Sequence, residues 1–236
     1  ERKVVDNVSI HVRQGEVVGI AGLMGAGRTE LGMSIFGKSY GSKISGQLII
    51  NGKEVNLSNA EQAIENKLAY ITEDRKGNGL ILSNPIRVNT TMAKMDKVSH
   101  HQIIDLDKEI NVANEYKEKL NTRCTSVEQD VGNLSGGNQQ KVLLSKWMFA
   151  DPDIMILDEP TRGIDVGAKY EIYNIINNLV SEGKSVIMIS SELVEVIGMC
   201  DRIYVMNEGE IVGELSKEEA TQEKIMSHIL KSSKGV

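Results

Sequence analysis

The chain has 236 residues, enough for one large α/β domain or a domain with a smaller insert, and its 40% apolar and 25% charged residues are the balance of an ordinary globular protein. A formal net charge of -6 without any lysine or arginine cluster argues against nucleic acid as the main partner. Cys124 and Cys200 form neither a disulfide framework nor a zinc spacing, which points to a reducing compartment, and no apolar run approaches the roughly 18 residues of a membrane span. The chain carries no signal-peptide pattern, begins without Met and opens abruptly at Val4-Val5, so a piece of a longer polypeptide is expected.

In chain order, Val4 to Val12 alternates as a half-buried strand would, and Gln14-Gly15 turns it toward the apolar run Glu16-Val17-Val18-Gly19-Ile20-Ala21. A helix follows from Leu31 to Phe36. Gly46 to Val55 predicts a β-hairpin closed by Asn51-Gly52, Ala60 to Asn66 a short helix, and Leu68 to Thr72 a buried strand ending at the polar cluster Glu73-Asp74-Arg75-Lys76. From Gly77 to Asp130 the pattern changes: Ile103, Ile110, Ala113, Tyr116 and Leu120 recur at helical spacing, which predicts a small helical insert entered through Gly77, Gly79 and Pro85. Strands are predicted again at Ile154–Asp158 and Ser185–Ile189, with helices at Lys169–Val180 and Glu192–Met199. A closing hairpin turns around Glu208-Gly209, and Ser216-Lys217-Glu218-Glu219 has the form of a capping box before a helix carrying Ile225 and Ile229. Strands alternating with helices throughout predict a largely parallel, doubly wound α/β sheet.

Three stretches carry chemistry. Gly22-Leu23-Met24-Gly25-Ala26-Gly27-Arg28-Thr29 lies where a buried strand becomes a helix, so its backbone N–H groups and the helix dipole can surround a phosphate. The spacing matches a phosphate-binding loop at every position except that Arg28 stands where lysine is expected. Ile154-Met155-Ile156-Leu157-Asp158-Glu159 delivers two adjacent carboxylates to the end of a buried strand; one can orient the water shell of a Mg²⁺ ion and the next can activate a water. Leu134-Ser135-Gly136-Gly137-Asn138-Gln139-Gln140-Lys141 opens a helix and forms a second anion site from a serine hydroxyl and free N–H groups. One nucleotide does not need two such sites, so the second is expected to grip the γ-phosphate of a nucleotide held by another subunit.

On these motifs the sequence resembles the nucleotide-binding domain of ABC transporters over nearly its whole length. Leu134 to Gln140 is similar to the family's signature motif, Asp158 and Glu159 to its Walker B aspartate and catalytic glutamate, and Gly163-Ile164-Asp165 to its D-loop. Gly-Leu-Met-Gly-Ala-Gly-Arg-Thr-Glu, ending at Glu30, together with Glu-Asp-Arg-Lys and Ile-Ser-Ser-Glu, looks more narrowly like the second, C-terminal domain of bacterial ribose, galactose and xylose importers, in which two such domains are fused. The resemblance implies a P-loop NTPase fold with a mixed, mainly parallel core sheet, an antiparallel β subdomain and an inserted α-helical subdomain, the core comprising 1–76 and 132–236 and the insert 77–131. It implies ATP and Mg²⁺ as cofactors, with Gly22 to Glu30, Ser135 to Asn138 and Asp165 binding nucleotide. Thr29, Asp158 and Glu73 would then bind metal, and Glu159, Glu73 and Ser191 would be catalytic. It also implies a fused or separate partner domain, a transmembrane sugar permease, indirectly an extracytoplasmic sugar-binding protein, and a place at the cytoplasmic face of the bacterial plasma membrane.

Three positions depart from the general family pattern. Arg28 replaces a compact ammonium with a larger, planar, forked cation. Glu73 stands where a glutamine would contact metal and water, and Ser191 replaces a histidine, offering a hydroxyl without a protonatable ring. All three imply that the site on the Gly22 loop binds nucleotide and hydrolyses it slowly or not at all. The other reading takes Arg28 and Glu73 as a compensating pair that restores turnover. A further class, a regulatory or dimerisation module that binds nucleotide without hydrolysis, separates from the transport motor by its lack of phosphate release. His11, His100, His101 and His228 show no ligand spacing, the charges from Asp105 to Lys119 fit a solvated helix face, and the ten methionines are scattered.

Overall fold

Uninterrupted apolar runs become buried strands here, because a strand covered on both faces has no polar side to show. The structure is a computed structural model that describes residues 3–39 and 41–232. In order it forms β1 (Val17–Gly22), α1 (Arg28–Ile35), β2 (Leu48–Ile50), β3 (Lys53–Val55), α2 (Ala60–Glu65), β4 (Leu68–Ile71), α3 (Ile86–Thr91), β5 (Ser99–His100), β6 (Ile103–Ile104) and α4 (Leu106–Lys119). It continues with α5 (Gly136–Phe149), β7 (Ile154–Asp158), α6 (Val166–Ser181), β8 (Ser185–Ile189), α7 (Leu193–Met199), β9 (Arg202–Asn207), β10 (Glu210–Ser216) and α8 (Gln222–Ser232). These pack as two units, one of residues 1–70, 153–159 and 179–236, the other of 71–152 and 160–178.

The first unit holds a six-stranded sheet in the order β10-β9-β1-β8-β7-β4. β1 pairs in parallel with both β8 and β9, β7 pairs in parallel with β8, and β10 closes the edge antiparallel to β9. Val18, Ile20, Ala21, Met155, Ile156, Leu157, Val186 and Met188 are fully buried along these strands. Gly19, in the middle of β1, is required by the close approach of α7: a Cβ there would stand 2.5 Å from Val196 Cγ1 and 2.8 Å from Cys200 Sγ. Because β1, β7 and β8 run parallel, their carboxyl ends open at one edge, and that edge receives the Gly22 loop, Asp158-Glu159 and Ser190-Ser191.

The α/β sheet agrees with the sequence reading, and so do both hairpin turns. Asn51-Gly52 and Glu208-Gly209 have positive φ at both central residues (51° and 75°, 49° and 89°), the twist that two-residue hairpins favour. The expected strand over Val4 to Val12 does not form. Its backbone is held by β9 side chains and a turn: Arg202 Nη2 donates to His11 O at 2.7 Å, His11 N donates to Tyr204 Oη at 3.3 Å, and Asp6 N donates to Gly209 O at 2.8 Å. The alternation there reflects one face lying against the sheet rather than ladder pairing. The Ser216–Glu219 pattern closes a turn, with Ser216 N donating to Glu219 Oε2 at 3.2 Å, whereas α8 is capped by Thr221 Oγ1, which accepts from Lys224 N.

In the second unit α3, α4 and α5 pack on one another, burying Ile86, Ala113, Leu120, Val142, Leu143 and Leu144. Ile103, assigned by spacing to a helix, instead sits in the β5–β6 hairpin and is 74% exposed. The hairpin reverses through His101 and Gln102, both at positive φ, before Asp105 caps α4 by accepting from Lys108 N. Lys141 is buried in α5, where its ammonium pairs with Glu171 of α6 at 2.6 Å and donates to Asn121 O at 2.7 Å.

Candidate functional site

In the first unit the site begins with backbone geometry. Gly27 has φ 96° and precedes α1, so the loop reverses where its N–H groups can point inward; a Cβ at Gly27 would lie 2.6 Å from Val4 O. Ala26 N donates to Leu23 O, and Gly209 N to Ala26 O, pinning the loop from within and from the β9–β10 turn. Leu23, Met24 and Gly25 are exposed at its tip, Met24 by 87%.

Arg28 is folded inward and buried. Its Nη1 donates to Ser190 O at 2.6 Å and its Nη2 lies 3.7 Å from Glu159 Oε1. Glu159 follows β7 in the left-handed region at φ 48°, a conformation that costs a non-glycine residue about 1–2 kcal/mol and is concentrated at functional positions. Its N donates to Ile189 O, and its Oε2 accepts from Ser191 Oγ at 3.1 Å. Burial pushes the Glu159 carboxyl above its ordinary range, while the Ser191 hydrogen bonds and the Arg28 charge oppose that rise.

Asp158 is completely buried. Its Oδ2 accepts from Tyr70 Oη at 2.7 Å, and its Oδ1 has no hydrogen bond among the described residues. Burial raises the carboxyl above its usual range, opposed by the Tyr70 and Thr29 side chains and the Arg28 cation. A buried acid oxygen left open beside a threonine suits a hard divalent cation. No group of three His, Cys, Asp or Glu residues is placed to hold a metal among the described residues, so such an ion would take its remaining ligands from phosphate oxygens and water, as Mg²⁺ does. The Tyr70 contact makes a prediction. Tyr70→Phe removes the donor to Oδ2 of a buried carboxylate whose Oδ1 has none, and is expected to destabilise the fold by about 1–3 kcal/mol at pH 8. A raised Asp158 pKa means that the penalty belongs to the ionised form, so it should shrink as pH falls; urea titrations at pH 8 and pH 5.5 measure it.

Sequence reasoning missed Tyr70, Ser190 and Glu195. Ser190 Oγ donates to Glu195 Oε2 at 2.5 Å, and Ser190 Oγ accepts from Glu192 N, fixing the carbonyl that Arg28 uses. The signal for Tyr70 was present: it is the one hydroxyl-bearing residue in Leu68-Ala69-Tyr70-Ile71, and a buried tyrosine requires a partner.

The second unit gathers the other candidates. Glu73 forms a salt bridge with Arg162, and Arg75 donates to Arg162 O at 2.7 Å and to Gly163 O at 3.3 Å. Glu73, Asp74, Arg75, Lys76 and Arg162 line an open cavity of 280 Å³. Ser135 precedes α5 with an exposed side chain that makes no helix-capping bond; its Oγ accepts from Asn138 Nδ2 at 2.9 Å, and Asn138 Oδ1 accepts from Arg123 N. No side chain caps the first-turn N–H groups of α5, where Gly136 and Gly137 follow Ser135. Asp165 Oδ1 accepts from Ala168 N at 3.0 Å, so this acid caps α6.

A parallel sheet with a glycine turn entering a helix at one carboxyl edge and a buried acid on a nearby strand is the phosphate-loop nucleotide-binding fold. Residues 5–162 match the profile of the ABC transporter family. The chain belongs to that family. It is 60% identical over 98% of its length to the L-arabinose transport ATP-binding protein AraG of Geobacillus stearothermophilus, of which it covers 45%. It is 52% identical to the xylose import ATP-binding protein XylG of Thermoanaerobacter pseudethanolicus and 50% identical to the ribose import ATP-binding protein RbsA of Clostridium tetani, spanning 95% of this chain and 44% of the relative in each case. The chain thus spans less than half the length of these relatives. Among solved structures, a nucleotide-free ATP-binding cassette from an ABC transporter superposes with TM-score 0.78 at 20% identity, over 98% of this chain and 90% of that one. A dimeric bacterial ABC transporter cassette gives 0.76 at 20% identity over 91% and 90%, so the fold is shared where the sequences have diverged.

Proposed function

We propose that this chain is an ATP-binding and ATP-hydrolysing domain that powers monosaccharide import through a membrane permease, acting beside a fused or separate partner domain at the cytoplasmic face. The observation that carries the proposal is the single sheet edge where the Gly22 loop, Thr29, Asp158 and Glu159 converge, taken with close relatives named as arabinose, xylose and ribose import ATP-binding proteins. The same proposal divides the chain into a core of 1–76 and 132–236 and a helical subdomain of 77–131, with an extracytoplasmic sugar-binding protein feeding the permease.

In this scheme the Gly22–Gly27 N–H groups hold the phosphates, and Thr29 and Asp158 hold Mg²⁺, which supplies charge neutralisation on the phosphates when bound. Glu159 accepts a proton from the attacking water and Ser191 orients its carboxylate through the 3.1 Å hydrogen bond. Arg28 weakens this arrangement. Its charge is directed at Glu159 and Ser190 O rather than outward, and it opposes proton acceptance by Glu159. The Glu73 carboxylate is taken by Arg162. Hydrolysis at this chain's own loop is therefore slow, and its main contribution is Ser135-Gly136-Gly137, offered to the nucleotide of the partner.

The test is ATP-dependent sugar uptake and phosphate release by the full polypeptide assembled with its permease in vesicles. Uptake should require Mg-ATP, and Glu159→Gln should retain more than half of the phosphate release, because the partner site turns over. Uptake indifferent to ATP would overturn the transport reading. Loss of nearly all release in the variant would show instead that the Arg28 site is a working centre.

A further inference from the structure

The turn after β4 grips one short loop from two sides. Glu73 takes the Arg162 side chain, while two residues later the Arg75 fork takes the main-chain carbonyls of Arg162 and Gly163 at 2.7 and 3.3 Å. The turn itself is rigid: Asp74 Oδ1 accepts from Gly77 N at 2.9 Å and Asp74 O accepts from Asn78 N and Gly79 N. Arg75 also underlies the start of α5, since a Cβ at Gly136 would stand 2.9 Å from Arg75 Nη2 and 3.1 Å from Gly163 O. The next residue repeats the closeness on the other side, where a Cβ at Gly137 would lie 2.6 Å from Ala168 Cβ in α6.

The body of α5 is already tied to α6 by Lys141 and Glu171. The bonds of Ser135 stay within the first turn, its hydroxyl accepting from Asn138 Nδ2 and its carbonyl from Gln139 N. Between that turn and the 162–163 carbonyls, beneath Gly136, lies the Arg75 guanidinium. A lysine would hold those two carbonyls less well, because its three donors sit on one atom without the planar spread of the fork.

We propose that Arg75 is a positioning residue that locks the 162–163 carbonyls and the first turn of α5 into one block, so that the Ser135-Gly136-Gly137 donors and the Asp165 cap keep a fixed mutual geometry. The inference rests on the reading that Ser135-Gly136-Gly137 grips a partner's γ-phosphate. Freed of Arg75, the donors lose their placement by a fraction of a residue's width, and misplacement of about 1 Å can lower a rate by about a hundredfold. Binding of adenine and the first two phosphates does not pass through this block. The effect should therefore fall on kcat more than on KM for ATP.

The experiment is a double-mutant cycle on the full polypeptide assembled with its permease, reading kcat and KM for ATP in Arg75→Ala, Ser135→Ala and the double variant. Arg75→Ala should lower kcat at least tenfold with KM within threefold, and in the Ser135→Ala background its effect on kcat should shrink to threefold or less, the mark of two residues acting through one element. Arg75→Lys should recover only part of the loss and serves in place of Arg75→Ala if that variant does not fold. If Ser135→Ala lowers kcat while the two effects multiply independently, or if Arg75→Ala changes nothing, the positioning role is overturned and the reading of Ser135 survives. If Ser135→Ala is itself inert, both fail.

Discussion

Ser135→Arg is expected to abolish ATP-driven sugar uptake, by at least a hundredfold, with every residue of the Gly22 loop left intact. The side chain it replaces is exposed at the start of α5 and makes no bond to the first-turn N–H groups, so no side chain caps those donors. An arginine there fills the space above Gly136 and Gly137 and turns its own guanidinium over the donors that an anion would use. Removing one preorganised donor from a reacting phosphate or oxyanion typically lowers a rate by about a hundred- to a thousandfold, and this substitution obstructs several. The fold should tolerate the change, because position 135 faces solvent. Uptake in vesicles, read beside an unchanged circular dichroism spectrum, makes the measurement; uptake near the parent level would remove the assignment of the second anion site.

Arg28→Met should destabilise the first unit strongly and in a pH-dependent way. The substitution leaves Glu159, 9% exposed, with its neighbouring cation gone and the Ser190 carbonyl without its 2.6 Å donor. Breaking a buried ion pair from one side costs roughly 3–5 kcal/mol, since the remaining charge stays desolvated. Burial already holds the Glu159 pKa above its ordinary value, and losing Arg28 raises it further. A carboxyl whose pKa is higher folded than unfolded destabilises the fold when ionised. The deficit should therefore be full at pH 8 and shrink as pH falls toward and below the folded pKa. Urea titrations at pH 8 and 5.5 should show this trend, and Arg28→Met with Glu159→Gln should recover part of the loss at pH 8. A deficit equal at both pH values would mean that the Arg28–Glu159 contact does not hold in solution.

Much of the site was legible because its chemistry is local. Glycines at fixed spacing between a buried run and a helix specify a loop wherever the rest of the chain goes, and Gly27 does adopt φ 96°. Four apolar residues ending in Asp158-Glu159 specify a strand that brings acids to its end, as β7 does. The misses concern partners. Val4 to Val12 alternates like a strand, yet Arg202 and Tyr204, nearly two hundred residues away, satisfy its backbone instead of a neighbouring ladder. The Ser216–Glu219 pattern is a real hydrogen-bonded turn, but α8 starts later at the cap of Thr221.

By itself the amino-acid sequence determined the α/β class and pointed to the phosphate loop, the two acids and the proposed second anion site, because each depends on residues adjacent in the chain. It also exposed Arg28, Glu73 and Ser191 as departures. Only the tertiary structure decided what those departures do. Arg28 turns inward to Ser190 O and Glu159, Ser191 donates to Glu159, and Glu73 pairs with Arg162. Each partner lies far away in sequence, on a separate strand end or loop. Parallel pairing of β1, β7 and β8 brings the first group to one edge, and a side chain's charge takes its meaning from whichever buried group it meets there.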